Sequence, residues 1–350
     1  MNDLFPVRYV TRYMGSKYPL LEQIGPRILK LVGTREPTLV DLMAGTHAIG
    51  VAMQPHLRVV ANDIQEYSAV IGRLLLIHEM TSDRLRSHVQ RFRESYSRFS
   101  YNSDHWFVEK YQESYFSKSQ CEEIAAIREH IETVSESGAH DLLLVALMHA
   151  MGKCQSSPGH FAQYMPSTHP RIEKLRGMSI FLEMDNWLSG FEPLARAAQN
   201  TVLTLNYSDF FKSETWAELP TSSVVYLDPP YSSAQYSRYY HLLETLVKWD
   251  DPEIFFKGLY RNDRHQSPFG SERKAVSAFN DIAACTAAKN GSSLVISYSN
   301  TGLVPIEEIE DIAGNYYSNV QTFSIQHRHS MQGRGVDSSI TELLIVASNR

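Results

Sequence analysis

Residues 38–64 read as strand, glycine turn, helix, strand, and no other feature narrows the fold as much. "TLVDLMAG" is a short β-rich run, "THAIGVAMQ" opens a helix, and "RVVANDI" is a second β run. A strand that returns through a helix pairs in parallel, so this unit calls for an α/β sheet with helices over its faces. Further β runs are "TVLTLNYSDF" at 201–210, "SVVYLDPP" at 223–230 and "SLVISYSN" at 293–300. Near the C-terminus "NVQTFSIQH" and "ITELLIVAS" flank a polar loop, the pattern of an antiparallel hairpin with a long tip.

The α/β pattern breaks between residues 75 and 198. Helical periodicity runs through "SKSQCEEIAAIREHIETV" and "HDLLLVALMHAMGK", followed by aromatic- and Pro-rich loops such as "CQSSPGHFAQYMPSTHPR". We read 75–198 as a mostly helical insertion forming a second lobe, and 1–74 with 199–350 as the α/β domain.

With 43% hydrophobic and 21% charged residues the composition is that of a soluble globular protein. No apolar run is long enough to cross a bilayer, and the N-terminal "MNDLFPVRYVTRYMGSK" lacks the apolar core of a signal peptide, so a cytoplasmic location is expected. Cys121, Cys154 and Cys285 lie far apart and make no metal-type pair. A net charge of −6 argues against a protein that coats nucleic acid but allows a local basic surface. Two segments offer one: "DRLRSHVQRFRESYSRF", with Arg84, Arg86, Arg91, Arg93 and Arg98, and "QHRHSMQGRG", with Arg328 and Arg334. Each also reads as a solvated face or loop.

Three constellations carry chemistry. The first, "DLMAGTHAIG", runs from Asp41 off a strand into a helix, where a glycine turn and a helix N-terminus let backbone N–H groups approach a ligand. Asp63 follows 22 residues later, where nucleotide-type folds place a carboxylate for ribose hydroxyls. His47 stands at the middle position of the glycine pattern. A side chain there would crowd a pyrophosphate, which counts against a dinucleotide and is tolerable for S-adenosylmethionine (SAM). The second is "NYSDFF", which puts Asp209 and Phe210 at a strand end, an acid and an aromatic for a purine ring. A loop acid beside a core phenylalanine is the plainer reading of that pair.

The third is "VVYLDPPY", a buried strand that ends in Asp228, Pro229, Pro230 and Tyr231. Two prolines stiffen the turn and hold the Asp228 carboxylate and an adjacent carbonyl still, while Tyr231 offers a flat face. The exocyclic amine of a nucleobase is a poor nucleophile because its lone pair is delocalised into the ring. Two fixed acceptors on its hydrogens favour the pyramidal form and stabilise the positive charge that develops on attack.

With these motifs the chain resembles the DPPY-type DNA adenine-N6 methyltransferases, in the alpha-group arrangement that places the target-recognition insertion before the catalytic motif. "RYMGSKYPLLEQI" is similar to the family's N-terminal motif, "VDLMAGTHAIG" to its SAM loop and "ANDIQ" to its second cofactor motif. "SDF" matches the third, and "DPPYSSAQYSRYYHLLETL" the catalytic motif and its helix. The resemblance implies a Rossmann-like SAM-dependent methyltransferase sheet, mostly parallel with an antiparallel terminal hairpin, facing the helical lobe across a basic cleft.

It further implies methyl transfer from SAM to N6 of adenine in double-stranded DNA, with the base flipped out of the duplex. Asp228, Pro229, Pro230 and Tyr231 would be catalytic. Tyr13, Gly15, Lys17, Asp41, Met43, Ala44, Gly45, Thr46, Asp63, Ile64, Asp209 and Phe210 would hold SAM, with no metal required. Arg328 and Arg334, with Arg84, Arg86 and Arg91, would meet DNA, and a restriction endonuclease or defence complex would be the partner. Two alternatives remain open from sequence: an RNA base-amine methyltransferase, and a non-catalytic SAM- or DNA-binding subunit.

Overall fold

The computed structural model describes residues 15–33, 36–96, 98–99, 101–194, 199–325 and 341–349. Its centre is a seven-stranded sheet. The strands are β1 (Thr38–Asp41), β2 (Arg58–Asn62), β3 (Thr201–Leu203), β4 (Val224–Leu227), β7 (Ser293–Ser299), β8 (Asn319–Ile325) and β9 (Glu342–Ser348). Two short strands, β5 (Ile254–Phe255) and β6 (Tyr260–Arg261), form a separate antiparallel ribbon. The main order is β3-β2-β1-β4-β7-β9-β8. From β3 to β7 every pairing is parallel, and β9 runs antiparallel to both β7 and β8. The mostly parallel α/β sheet and the antiparallel terminal hairpin expected from sequence are both present.

Burial on both faces explains why these runs are mainly apolar and do not alternate with charged residues. Every residue of β1, β4 and β7 is buried. Alternate residues serve opposite faces. Leu39, Val59, Val224, Tyr226 and Val295 join one core, and Val40, Val60, Val225, Leu227 and Leu294 join the other. The second core is closed by the helix Glu272–Ala288 through Ala275, Phe279 and Ile282.

The first core runs without a break into the helical segment. The helix Ser137–Cys154 contributes Leu142 to Met148, and Lys118–Glu132 contributes Ile124 and Ile127. Ser137–Cys154 is apolar almost all round because other elements surround it. Lys118–Glu132 starts at a capping box, with the Ser117 hydroxyl accepting from the Gln120 N–H and the Gln120 side chain accepting from the Ser117 N–H. The main core of the 75–198 segment is therefore shared with one face of the sheet.

One local expectation is corrected. In "TVLTLNYSDF" only Thr201–Leu203 is strand, and Tyr207–Phe210 is a helical turn capped by Asn206, whose side chain accepts from the Ser208 N–H at 3.1 Å. Asp209 and Phe210 thus do not sit at a strand end. Among the described residues no helix is long and apolar enough to cross a membrane.

Candidate active site

The parallel register sets the site. Asp41 pairs with Ala61 of β2 and with Tyr226 of β4, so the carboxyl ends of three strands lie side by side. β1 lies between β2 and β4, where the chain order reverses, and open α/β sheets bind ligands in the crevice beyond such a point. Strand alternation puts Asp228 on the same face as Tyr226, and Asp41 on the face of Leu39, both toward the helical segment. The cleft here encloses about 1090 Å³ including the open solvent at its mouth.

The cleft brings together most of the residues singled out from sequence. Gly15, Lys17, Asp41, Met43, Ala44, Gly45, Thr46, Asp63, Ile64, Asp228, Pro229 and Pro230 all line it. Gly45 takes φ +53°, and the turn is fastened by hydrogen bonds from the Gly45 N–H to Asp63 Oδ2 at 2.9 Å and from Ser68 Oγ to the Gly45 carbonyl at 2.7 Å. Asp63 Oδ1 accepts from the Gln65 N–H at 2.9 Å. Each carboxylate oxygen keeps a lone pair for a ribose hydroxyl. Burial raises Asp63 above the ordinary carboxylate range, against the pull of these N–H groups.

Asp41 is buried, and its Oδ2 has no hydrogen-bond partner. Burial, then the Asp228 carboxylate, push it up to about 8, opposed by the Gly50 N–H. Three aspartates against one lysine make the lining acidic, which corrects the expected basic cleft as far as this cavity is concerned. The acidic lining and the unpartnered Asp41 oxygen suit the sulfonium and amino groups of SAM better than a pyrophosphate.

His47 was expected to crowd a phosphate, and the structure removes that argument. The residue sits at φ +61°, and its ring turns away from the cleft, Nε2 lying 2.7 Å from the Ser68 carbonyl. Burial lowers its pKa to about 4, so the ring is neutral. The preference against a dinucleotide rests on Asp63 and Asp228 instead, two carboxylates against one lysine.

Lys17 also differs from expectation. Its ammonium lies 2.8 Å from Asp228 Oδ1, 3.2 Å from Glu342 Oε1 and 3.3 Å from the Gly15 carbonyl. Three hydrogens meet three protein acceptors, which leaves none for a cofactor. Burial pulls the Lys17 pKa down, but the Asp228 and Glu342 carboxylates outweigh it and the group is held above the ordinary lysine range. Asp228 is raised to about 6 by burial, with Lys17 holding it down and Glu342 pushing it up.

Several other residues fall outside the cleft lining. Asp209 is exposed and pairs loosely with Lys212 at 3.6 Å, and Phe210 is buried in the second core. Leu205, Asn206 and Tyr207 form that wall instead. The Tyr231 ring packs edge-on to Tyr298, with centroids 6.4 Å apart. The arginines of the helix Ser82–Tyr96 are engaged within the protein: Arg84 pairs with Glu136, Arg86 with Asp83, and Arg91 reaches His88 Nδ1 at 2.7 Å. Tyr13, Arg328 and Arg334 lie outside the described residues.

Other lining residues carried no sequence signal. Gln235 exchanges two hydrogen bonds with Ser267, 2.7 Å to its N–H and 3.2 Å to its carbonyl, and Ser237 Oγ donates to the His265 carbonyl at 2.6 Å. These bonds clasp the segment after the double proline to a loop about thirty residues on, a pairing that no local pattern encodes. Asn62 bonds the Leu42 carbonyl at 3.1 Å and the Leu205 carbonyl at 2.9 Å, tying the glycine turn to the exit of β3.

The D12 class N6 adenine-specific DNA methyltransferase family model matches residues 13–289. Modification methylase LlaI of Lactococcus lactis subsp. lactis is 26% identical over 87% of this chain and 49% of its own length. Type II methyltransferase M.FokI of Planomicrobium okeanokoites is 24% identical over 86% of this chain and 46% of its own. Against both, the chain spans about half of the relative's length. Type II methyltransferase M.NlaIII of Neisseria lactamica is 24% identical over 89% of this chain and 90% of its own.

Proposed function

The chain belongs to the D12 class N6 adenine-specific DNA methyltransferase family, and from that membership we propose that it methylates adenine N6 at a specific site in double-stranded DNA. The carrying observation is that the rigid Asp228–Pro229–Pro230 turn opens into the same cleft as Asp41, Gly45 and Asp63. Relatives that are modification methylases support a role in a restriction-modification system, with a cognate endonuclease or defence complex as the functional partner. The chain order, with cofactor turn, helical insertion and then catalytic turn, supports the alpha-group arrangement. The cytoplasm, where DNA is, is the expected location.

SAM, when bound, supplies an electrophilic methyl group. Asp63 would hold the ribose hydroxyls, the turn from Met43 to Thr46 would hold the cofactor through backbone, and Ile64 and Leu205 would offer apolar contact to its purine. Asp228 and the Pro229 carbonyl would accept the two hydrogens of the adenine amine, leaving its lone pair free for attack, and the methylated nitrogen would then lose one of those hydrogens as a proton. The positive charge that develops on nitrogen is met by acceptors already in place. Tyr231, directly after the turn, gives the flipped base a face to stack on.

The test is methylation of plasmid DNA with labelled SAM, followed by digestion to nucleosides and sequencing of the modified positions. Label in N6-methyl-2′-deoxyadenosine at one sequence context supports the proposal. Label confined to structured RNA offered in parallel, or SAM binding without transfer to either polymer, overturns it.

A further inference from the structure

Glu342, the first residue of β9, is buried beside the cleft without lining it. It lies opposite Ser299 of β7 in register, accepts a hydrogen bond from Ser297 Oγ, and approaches the Lys17 ammonium at 3.2 Å. Lys17 comes from the other end of the chain and meets Asp228 from β4. Three distant segments thus deliver a carboxylate, an ammonium and a second carboxylate to one point. The Lys17 and Glu342 side chains are almost sealed, at 6% and 3% exposure, whereas that of Asp228 retains 23% toward the cleft.

We propose that Lys17 and Glu342 are positioning residues for Asp228: Glu342 fixes the Lys17 ammonium, and Lys17 grips Asp228 by Oδ1, turning Oδ2 toward the substrate amine. This rests on the reading that Asp228 receives that amine. Lysine keeps the buried carboxylate ionised, since a protonated Asp228 would offer far less stabilisation to a nitrogen becoming positive. Glu342 has a second effect. Lys17 and Asp228 alone would be a neutral pair, and a lysine beside a developing cation opposes it. Adding Glu342 brings the trio to a net charge of −1, which favours the transition state.

The other titratable groups facing Asp228 are Asp41, Tyr226, Tyr231 and Tyr236. Burial raises all four, so each is neutral near pH 7 and Lys17 and Glu342 set the local charge.

The experiment measures single-turnover methyl transfer against pH for the full chain and for Lys17→Met, Lys17→Arg and Glu342→Gln, with SAM affinity and melting temperature for each. Loss of the ammonium lets burial protonate Asp228, so Lys17→Met should move the acid limb up by at least about one unit, a loss that approaches about tenfold below the wild-type limb. Lys17→Arg keeps the charge and should leave the limb in place. Glu342→Gln removes a repelling carboxylate, so its limb should move down, while the rate on the plateau falls through loss of the net negative charge. SAM affinity should stay within a few-fold throughout.

Parallel loss of rate at all pH values in Lys17→Met and Glu342→Gln, with no opposed movement of the limbs, would reduce the pair to structural support and overturn the inference. Asp228→Ala separates the two levels. If it remains active, the reading of Asp228 itself fails; if it is inactive while the limbs do not move, only the positioning role fails.

Discussion

A Cβ placed on Gly72 would stand 2.5 Å from Cε1 of His47 and 2.7 Å from its Nε2. The imidazole fills the space that a side chain on this helix would occupy. A histidine in the cofactor turn is therefore accommodated by a glycine 25 residues further on, and the cleft is left clear. Gly72→Ala should destabilise the fold by about 1–3 kcal/mol through overpacking, although alanine is the better helix former. In a His47→Gly background the same change should be neutral or stabilising, because the space is then free. Denaturant unfolding of the four proteins measures the coupling, and simple additivity would refute the steric pairing. SAM affinity of His47→Gly should remain within a few-fold of the parent, because the ring faces away from the cleft.

Asp41 ties cofactor binding to pH. Its folded pKa of about 8 lies above that of an unfolded aspartate, so the ligand-free protein binds the extra proton and loses stability as pH rises from about 4 toward 8. A cationic ligand favours the ionised carboxylate, so binding should release a proton and SAM affinity should rise with pH up to about 8. Calorimetric titration in buffers of different ionisation enthalpy reads that proton directly. Asp41→Asn should bind more weakly and release none from this site, while its ligand-free melting temperature should fall less between pH 5 and 8. Equal proton release in both proteins would place the titrating group elsewhere.

The wall built by 205–207 separates two neighbours in sequence. Asp209→Ala removes an exposed side chain whose pairing with Lys212 is loose, and should leave SAM affinity and stability nearly unchanged. Asn206→Ala removes the cap of the turn and should cost about 1 kcal/mol of stability. It should also weaken SAM binding several-fold by loosening the cleft wall. Isothermal titration and thermal melts on the two variants check this, and the reverse ranking would return Asp209 to the cofactor site.

What was legible in the sequence was local and periodic. The run from Thr38 to Asn62 announced a parallel unit because apolar strands and a glycine turn are short-range signals, and its register then placed Asp41 and Asp63 at one crevice. Asp209 misled because "TVLTLNYSDF" looks like one long strand, whereas Asn206 stops it with a side-chain cap. Glu342 could not be singled out. A glutamate at the head of an apolar strand reads as a solvated end, and only the insertion of β9 between β7 and β8 buries it against Lys17. The pairings of Arg84 with Glu136 and of Arg93 with Asp185 were not legible either, because those acids lie far along the chain.

The link between β8 and β9 carries the remaining question of DNA contact. Ile325 and Glu342 are paired in register, so the segment from 326 to 341 starts and ends at strand ends, and one of those ends is the carboxylate that touches Lys17. Arg328 and Arg334 lie in that segment, outside the described residues, and from its sequence we propose that they meet the duplex. Phosphate contacts act through counterion release and weaken all sequences alike, each lowering the log–log salt slope by about 0.9. Arg328→Ala combined with Arg334→Ala should reduce DNA affinity and flatten the slope by about one to two units, with SAM affinity unchanged. The arginines of the helix Ser82–Tyr96 provide the contrast: Arg84→Ala with Arg86→Ala should barely change the slope, because those charges already face Glu136 and Asp83. Titrations at several salt concentrations distinguish the two pairs, and a slope that changes only for the helix pair would move the duplex to the other side of the protein.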